Sequence, residues 1–584
     1  MRRDATTHGA TIGAAFRAWA LGVLVLGLVA GCSTAHYRRS ADKEVYGILH
    51  GVEQQVLGRT NAFTIDTPYS GRDPKTIAPE EIIDGRSAAN RLKVNLDQAL
   101  DLAVRGSREY QGEKERLYAT ALTLTGVRQK YRPSLSADVA GQLAGTPDGL
   151  SSSSLGSRAA LDQSFLLKTG GQLGVNLAND ILKYYTGDYS RSIVNSISVD
   201  LTQPLLRGFG RNNAEIETLT QATRNVVYEV RSFNRYQQEF AVGVVSAYFS
   251  LLTQKAQVRN NYRSYTNKVE TTKFLEARSV DRVPQSDVDD ARSSELDARI
   301  SYINSLASYL NQLDSFKLRL GLPLSTQLCV EDQDLTDLIG VGLVPVEVSR
   351  KAAFSLCVNR QMELLNAIDR FEDSKRKVRI AADQLRPDLN VFGSASLASE
   401  EPDDYTEFDL NKLRYTAGFT LNLPLDRRRE RNTYRATLIA FESQLRSLVQ
   451  SFDDYKNRID RGLRTVEQSR LNYLNAVEGL KVAERRVENN SMRLEAGRTT
   501  ILYLREAQDN LVRVQNILAG TYTAYLTARL ELMLNIGVLD TRPGQFWLQD
   551  PLKDRLAPDQ RGVSPLQMPE DQVLPPETFF EPAS

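Results

Sequence analysis

The residues of this sequence that could act together chemically are carboxylates and arginines spaced for the faces of helices. Two pairs of carboxylates lie one helical turn apart, and one pair has arginines nearby in sequence. The set consists of Asp287, Asp290, Arg498, Arg505, Glu506 and Asp509. Carboxylates and arginines that meet around a symmetry axis can close an opening and release it again, and rings of acidic side chains favour cations. The alternative for each residue is an ordinary solvated helix face, because 25% of the chain is charged.

Most enzymatic chemistry is excluded by the scarcity of histidine. The three histidines, at positions 8, 36 and 50, all lie near the N-terminus, so the body of the chain cannot form a histidine-based triad or a multi-histidine zinc site. The segment RGFGRNN at 207–213 lacks the third glycine of a phosphate-binding loop and is predicted to connect a strand to a helix. A polysaccharide-processing enzyme would need a convergent acidic cleft, which the sequence does not indicate. We therefore predict that the protein is not an enzyme and uses no cofactor and no metal.

The charge balance argues against nucleic acid as a partner. Lys and Arg number 73 and Asp and Glu number 72, so the net charge is only +1. Proteins that bind a phosphate backbone need a strongly basic surface. The hydrophobic fraction of 41% also leaves no room for a bundle of membrane helices, each of which needs about 20 apolar residues.

The N-terminus has the features of an export signal. Basic residues precede an apolar run from Ala18 to Ala30, which is too short to span a membrane as a helix. The run ends in VAGC, which resembles a bacterial lipobox, so Cys32 is predicted to be acylated after cleavage. The alternative is a plain signal peptide with an incidental cysteine. Export would place Cys329 and Cys357 in an oxidising compartment, where they could form one disulfide or stay buried and unpaired.

The chain contains two halves of about 220 residues with the same order of patterns. Each half reads helix, strands, very long helix, turn and helix, which indicates a duplication. Prolines mark the junctions between strands and helices at equivalent places, because proline removes a backbone donor and disfavours helix in the residue before it. These junction residues are Pro133, Pro204, Pro387 and Pro424. Gly321 and Gly537 end the last helix of each half as natural C-terminal caps.

The strand pattern fits either a soluble antiparallel sheet over a core or a transmembrane barrel, and strands of about ten residues in an exported lipoprotein favour the barrel. Segments after Pro133 and Pro387 alternate apolar and polar residues, which suits a strand with one apolar and one wet face, as in a transmembrane barrel. Barrels begin at about eight strands, so several chains would have to share one. Further strand-like stretches at 160–167 and 172–179 predict an additional hairpin, which could enlarge the barrel or stand outside it. Helices over 213–277 and 431–496 would each be about 100 Å long, and neighbouring helices would have to cover their apolar faces.

These patterns together resemble the outer-membrane efflux (TolC-like) protein family, in its lipoprotein branch. The strongest stretch is RLEAGRTTILYLREAQDNL at 493–511, which is similar to the family's turn between the long and the returning helix, with Gly497 at the turn. FLEARSVDRVPQSDVDDARSSEL at 274–296 is the first-half counterpart, although Arg278 replaces the glycine. Tyr503 also departs from the family, which often has Asp there.

The resemblance implies an α+β membrane channel built from two tandem repeats. Three copies would share a β-barrel in the outer membrane and a periplasmic α-helical coiled-coil barrel. The partners implied are a periplasmic adaptor, an inner-membrane pump and outer-membrane lipid, and the channel would be a passive conduit for efflux or type I secretion. The alternative is a periplasmic coiled-coil scaffold lipoprotein that forms no channel.

The predicted organisation follows from the signal, the repeats and the composition of the two ends. It consists of a signal peptide at 1–31, an N-terminal anchor strap at 32–95, repeats at 96–340 and 341–540, and a Pro-rich tail at 541–584. We expect the strap to be extended, because it contains TPYSGRDPKTIAPEE.

Overall fold

The fold is described from a computed structural model of the full chain. The description covers residues 34–60, 63–87, 90–132, 134–145, 151–167, 169–184, 191–278, 284–331, 340, 342–399, 408–542, 544–553 and 555–556. Two predicted site residues, Cys32 and Pro133, lie outside this part of the chain, and so do 279–283 and the tail after 556.

The two repeats form the same helices at nearly the same lengths. In the first repeat these are α3 (Leu96–Gly106), α4 (Arg108–Gln129), α5 (Ala214–Arg278) and α6 (Gln285–Arg319). In the second they are α7 (Arg350–Arg360), α8 (Met362–Asp383), α9 (Arg428–Glu495) and α10 (Ile501–Ile536). The helices have 11, 22, 65 and 35 residues in the first repeat and 11, 22, 68 and 36 in the second. The predicted duplication and the two very long helices are confirmed.

Each half of the sequence reads as beginning with one helix, and in both repeats the structure has two helices there. Ser107 separates α3 from α4, and Gln361 separates α7 from α8, each with an extended backbone conformation. Both residues are buried. The break is therefore part of the packed interior, and the helical periodicity of the flanking residues does not reveal it.

Contacts within the chain divide it into two compact units, each assembled from parts of both repeats. The first unit comprises 1–65, 115–230 and 373–441, and the second comprises 66–114, 231–372 and 442–584. The repeats and the compact units are therefore different divisions of the same chain.

The first unit contains an antiparallel sheet with six strands in its described part. The strands are β2 (Ser134–Gly145), β3 (Ser151–Leu166), β4 (Gln172–Tyr184), β5 (Arg191–Pro204), β7 (Asp388–Ala398) and β8 (Arg414–Asn422). They pair in the order β2-β3-β4-β5-β7-β8. The predicted additional hairpin is present as β3 and β4, and the first repeat contributes four strands where the second contributes two.

The register of this sheet separates apolar from polar side chains. Directly paired residues on antiparallel strands share a face. One line of paired residues, here called the apolar row, consists of Leu161, Leu177, Ile197 and Leu397. The next line, the polar row, consists of Asp162, Asn176, Ser198, Ser396 and Arg414. The predicted alternation therefore continues across the sheet from β3 onwards.

The first unit also contains helix α1 (Thr34–Leu57), which takes the place of the first part of the expected extended strap. Val45 and Leu49 are buried one turn apart, and Asp42 accepts a hydrogen bond from the Tyr118 hydroxyl at 2.7 Å. The helix forms because this amphipathic stripe packs against α4, and the Pro-rich motif that suggested an extended strap lies further along the chain.

The second unit contains most of the buried core. Its α10 buries Tyr522, Tyr525 and Leu526 in its second half. The Arg529 side chain is also buried, and its guanidinium donates hydrogen bonds to the carbonyls of Trp547 and Gln549. The unit also includes α2 (Pro79–Ser87) and a parallel pair formed by β1 (Arg91–Val94) and β6 (Gln327–Val330).

The two cysteines of the described chain do not form the disulfide that was one of the two predicted alternatives. Cys329 is an exposed thiol on β6, and Cys357 is a buried thiol on α7 whose Sγ lies 3.5 Å from the carbonyl oxygen of Asn535. The other alternative, unpaired thiols, describes this structure, although only Cys357 is buried.

No helix within the described residues is long and apolar enough to cross a membrane.

Candidate functional site

The turn between α9 and α10 is built as predicted around Gly497. This glycine has φ +69°, a left-handed conformation that a residue with a Cβ adopts only with strain. The Gly497 amide donates to the Leu494 carbonyl at 3.0 Å, and the Arg498 amide donates to the Arg493 carbonyl at 2.8 Å. This pair of bonds is a Schellman motif, which ends α9 sharply and lets α10 begin at Ile501.

A small apolar cluster holds the two helical turns of the second unit together. It joins residues from the ends of α5 and α6 with residues from the ends of α9 and α10. The buried members are Leu275, Val288, Ala291, Ile501 and Leu504, with Leu494 packed against them. Both repeats therefore contribute to one site, here called the tip cluster.

Asp509 forms the most buried ion pair among the predicted gate residues. Its Oδ1 lies 2.6 Å from Nζ of Lys268 on α5. The Lys268 side chain is only 8% exposed, whereas that of Asp509 is 54% exposed. The pair links the long helix of the first repeat to the returning helix of the second. The sequence reasoning missed Lys268.

Glu506 forms a different kind of contact. Its Oε1 accepts a hydrogen bond from the Arg486 guanidinium at 2.9 Å, and both side chains are well exposed. Arg498 and Arg505 are the arginines nearest to Glu506 in the predicted set, and the structure places Arg486 of α9 against Glu506. An exposed ion pair of this kind contributes little stability because water screens it.

Asp290 and Arg505 line one groove, to which residues of the tip cluster also contribute. Lys268, Thr271 and Gln508 also line this groove. Two opposite charges that line the same groove can pair when the groove narrows, so this arrangement suits an element that opens and closes.

The other two predicted residues lie nearby but differ in environment. Asp287 lies in the first turn of α6, half-buried, where a carboxylate is favoured by the positive end of the helix dipole. Arg498 is exposed at the turn, and its backbone amide takes part in the Schellman motif.

The strand-to-helix junctions form a second polar site, in the first unit. The carboxylate of Asp383, which is buried, accepts hydrogen bonds from the Gly208 amide at 2.6 Å and the Asn212 side chain at 3.2 Å. Arg207 pairs with Asp388 at 2.6 Å. The RGFGRNN segment is therefore the predicted connection, held by carboxylates, and three of the predicted junction prolines, Pro204, Pro387 and Pro424, lie at the ends of strands.

Another charged network in the first unit ties α5 to α8. Asp373 is buried and pairs with Arg224 at 2.6 Å and with Arg376 at 2.9 Å. Burial and the hydrogen bond to Asp373 raise the pKa of Tyr228 to about 12, so its hydroxyl stays protonated and donates to that carboxylate. Every charge in this network has a partner of opposite sign, as expected of a structural contact.

Within the described residues, no three His, Cys, Asp or Glu side chains are placed to hold a metal ion. The geometry is thus that of helical turns, ion pairs and a two-faced sheet.

Residues 355–538 match the family model of the outer membrane efflux protein. No curated protein matches the sequence of this chain.

Solved outer-membrane proteins share the fold at low sequence identity. The outer membrane channel CmeC of Campylobacter jejuni is 14% identical, with a TM-score of 0.54 over 79% of this chain and 88% of CmeC. The outer membrane protein VceC of Vibrio cholerae is 13% identical, with a TM-score of 0.53 over 76% of this chain and 96% of VceC. The open MtrE outer membrane channel of Neisseria gonorrhoeae is 12% identical, with a TM-score of 0.53 over 76% of this chain and 88% of MtrE.

Proposed function

We propose that this chain is the outer-membrane channel of a tripartite efflux or type I secretion system, because residues 355–538 match the family model of the outer membrane efflux protein. Three copies would share one β-barrel in the outer membrane and one helical cylinder in the periplasm. The channel would be passive and would catalyse no reaction.

The observation that carries this proposal is the exposed apolar face of the six-stranded sheet. Tyr415 is 80% exposed and Phe419 is 73% exposed, and Leu421 on the same face is also exposed. A large apolar surface of this kind is costly in water and is stabilised when it contacts lipid. The opposite face carries the polar row, as expected for the wall of a water-filled pore.

The partners we propose are those of the resemblance: a homotrimer, outer-membrane lipid, a periplasmic adaptor and an inner-membrane pump. The pump would supply the energy and select the substrate. The adaptor would contact the helical turns at 278–284 and 497–500, because these turns would end the helical cylinder. Acylation of Cys32 would anchor the mature chain to the membrane, with residues 32–95 as the strap and 541–584 as the tail.

The contacts around the tip cluster support a closable end for the proposed channel. Lys268 and Asp509 join helices of different repeats, so separating those helices breaks their ion pair. We propose that this pair holds the closed state, and that Asp290 and Arg505 line the groove that changes width on opening. Asp287 and Arg498 would complete the charged rim, and Glu506, whose ion pair with Arg486 is exposed, would lie at the tip without holding the closed state.

Membrane fractionation distinguishes the channel from a scaffold held only by its lipid. Residues 1–32 are replaced with a cleavable signal sequence that carries no acylated cysteine. The sheet of a channel inserts by itself, so we expect this variant to remain in the outer-membrane fraction after a carbonate wash, as the full-length protein does. Release of the variant into the soluble periplasmic extract would contradict the channel and favour the scaffold.

A further inference from the structure

The additional hairpin, β3 and β4, lies in the middle of the sheet and not at its edge. β3 pairs with β2 over twelve residues, from Ser134 opposite Asp162 to Gly145 opposite Ser151. β4 pairs with β5 over twelve residues, from Gln172 opposite Thr202 to Lys183 opposite Arg191. Removing the hairpin from the sheet would break both ladders, so it is an integral part of the wall.

All six strands are long enough to cross a membrane. Their lengths are 12, 16, 13, 14, 11 and 9 residues from β2 to β8. A tilted transmembrane strand needs about 9–11 residues. Each strand of the hairpin is thus longer than β2, β7 and β8, and of the four strands outside the hairpin only β5 is longer than β4.

The hairpin also has the side-chain pattern of a lipid-facing wall. Leu161 of β3 and Leu177 of β4 continue the apolar row that includes Ile197 of β5. All three side chains are exposed. On the other face, Asp162 and Asn176 continue the polar row, and the Asn176 amide donates a hydrogen bond to the Asp162 carboxylate. A lid outside the membrane would have no need for an apolar face in register with the rest of the sheet.

The two ends of the sheet can join only with another copy of the chain. β2 and β8 each have one neighbour in the sheet. In a bilayer, every backbone donor and acceptor must be paired within the protein, so neither edge can face lipid. Because an antiparallel sheet of six strands ends in strands of opposite direction, β8 of one copy can pair antiparallel with β2 of the next.

We propose that each chain contributes all six strands, so that three copies close an eighteen-stranded barrel. The inference rests on the proposed function, from which the number of copies is taken. Barrel diameter grows roughly linearly with strand number, and barrels of about 16–18 strands enclose an aqueous channel. The polar row would line this channel, and the apolar row would contact lipid.

Lipid contact at single positions tests whether the hairpin lies in the membrane wall. In a Cys329→Ser background, single cysteines replace Leu161, Leu177 or Val199, and a fluorophore is attached to each before reconstitution with lipids brominated on the acyl chains. Val199 of β5 reports the barrel itself, and its neighbour Ser198 faces the other way. The matched controls Asp162→Cys, Asn176→Cys and Ser198→Cys report that polar face.

The expected result is an equal loss of fluorescence at 161, 177 and 199 and little loss at 162, 176 and 198. Quenching at 199 alone would overturn the eighteen-stranded barrel and leave the proposed channel intact. No quenching at any position would contradict both. Cryo-electron microscopy of the same reconstituted protein should show eighteen strands around a threefold axis, and a ring with fewer strands would overturn the inference.

Discussion

At the scale of single residues, burial distinguishes the charged side chains that hold helices together near the tip cluster from those that lie on its surface and contribute little stability. Asp509 and Glu506 lie three residues apart on α10, and each has a basic partner on another helix. The difference lies in the partners, because Lys268 is buried and Arg486 is exposed. An ammonium that loses its partner in a buried position pays a desolvation cost that an exposed guanidinium does not.

Asp509→Asn is therefore expected to loosen the closed state of the proposed channel. The substitution removes the carboxylate that neutralises Lys268 and should cost about 1–3 kcal/mol of closed-state stability. In planar bilayers, the variant should show a higher conductance than the unmodified protein at the same voltage. Glu506→Gln is the matched control on the same helix, and its conductance should stay close to that of the unmodified protein. Equal conductance in both variants would show that the ion pair between Lys268 and Asp509 does not hold the closed state.

The two thiols should differ strongly in reactivity. Burial raises the pKa of the Cys357 thiol to about 12, so at pH 8 it stays protonated as well as enclosed. Cys329 is exposed. An alkylating reagent at pH 8 should modify Cys329 in the folded protein and reach Cys357 only after denaturation, as read by peptide mass spectrometry. Equal modification of both thiols in the folded protein would contradict the burial of Cys357 on α7.

At the scale of elements, the last helix of each repeat ends in the same way. Gly321 after α6 and Gly537 after α10 have φ of +75° and +81°. Gly321 packs on the break after α3, and Gly537 packs on the break after α7, at Arg360 and Gln361. Each glycine turn therefore packs against one of the helix breaks that the sequence periodicity did not predict.

Gly321→Ala and Gly497→Ala make a matched pair that separates crowding from backbone strain. Both glycines have positive φ, but a Cβ at Gly321 would overlap the Gly106 carbonyl oxygen, whereas a Cβ at Gly497 meets open space. We expect Gly497→Ala to cost about 1–2 kcal/mol from strain alone. Gly321→Ala should cost clearly more and lower the thermal unfolding midpoint further. Similar midpoints for the two variants would contradict the close contact at Gly106.

At the scale of the whole molecule, the two repeats have kept their helices and diverged in their strands. Helix lengths agree within three residues between the repeats, whereas the first repeat provides four strands and the second two. A hairpin can be added to an antiparallel sheet without changing the direction in which the chain leaves it. The helices allow no such freedom, because an inserted residue would rotate every later side chain away from its partner. The fractionation and lipid-contact experiments belong to this scale, because both measure how the complete protein sits in the membrane.

Local patterns in the chain were enough to predict the repeats, the long helices, the turn at Gly497 and the two faces of the strands. Each depends on residues close in sequence: periodicity, proline and glycine. Periodicity indicated one first helix in each repeat where the structure has two, and the Pro-rich motif suggested an extended strap where α1 forms. Tertiary structure decided the pairing of Lys268 with Asp509, the place of β3 and β4 inside the sheet, and the separation of Cys329 from Cys357. These features join residues from distant parts of the chain, and such distances are set by packing and strand register, which no spacing within one segment encodes.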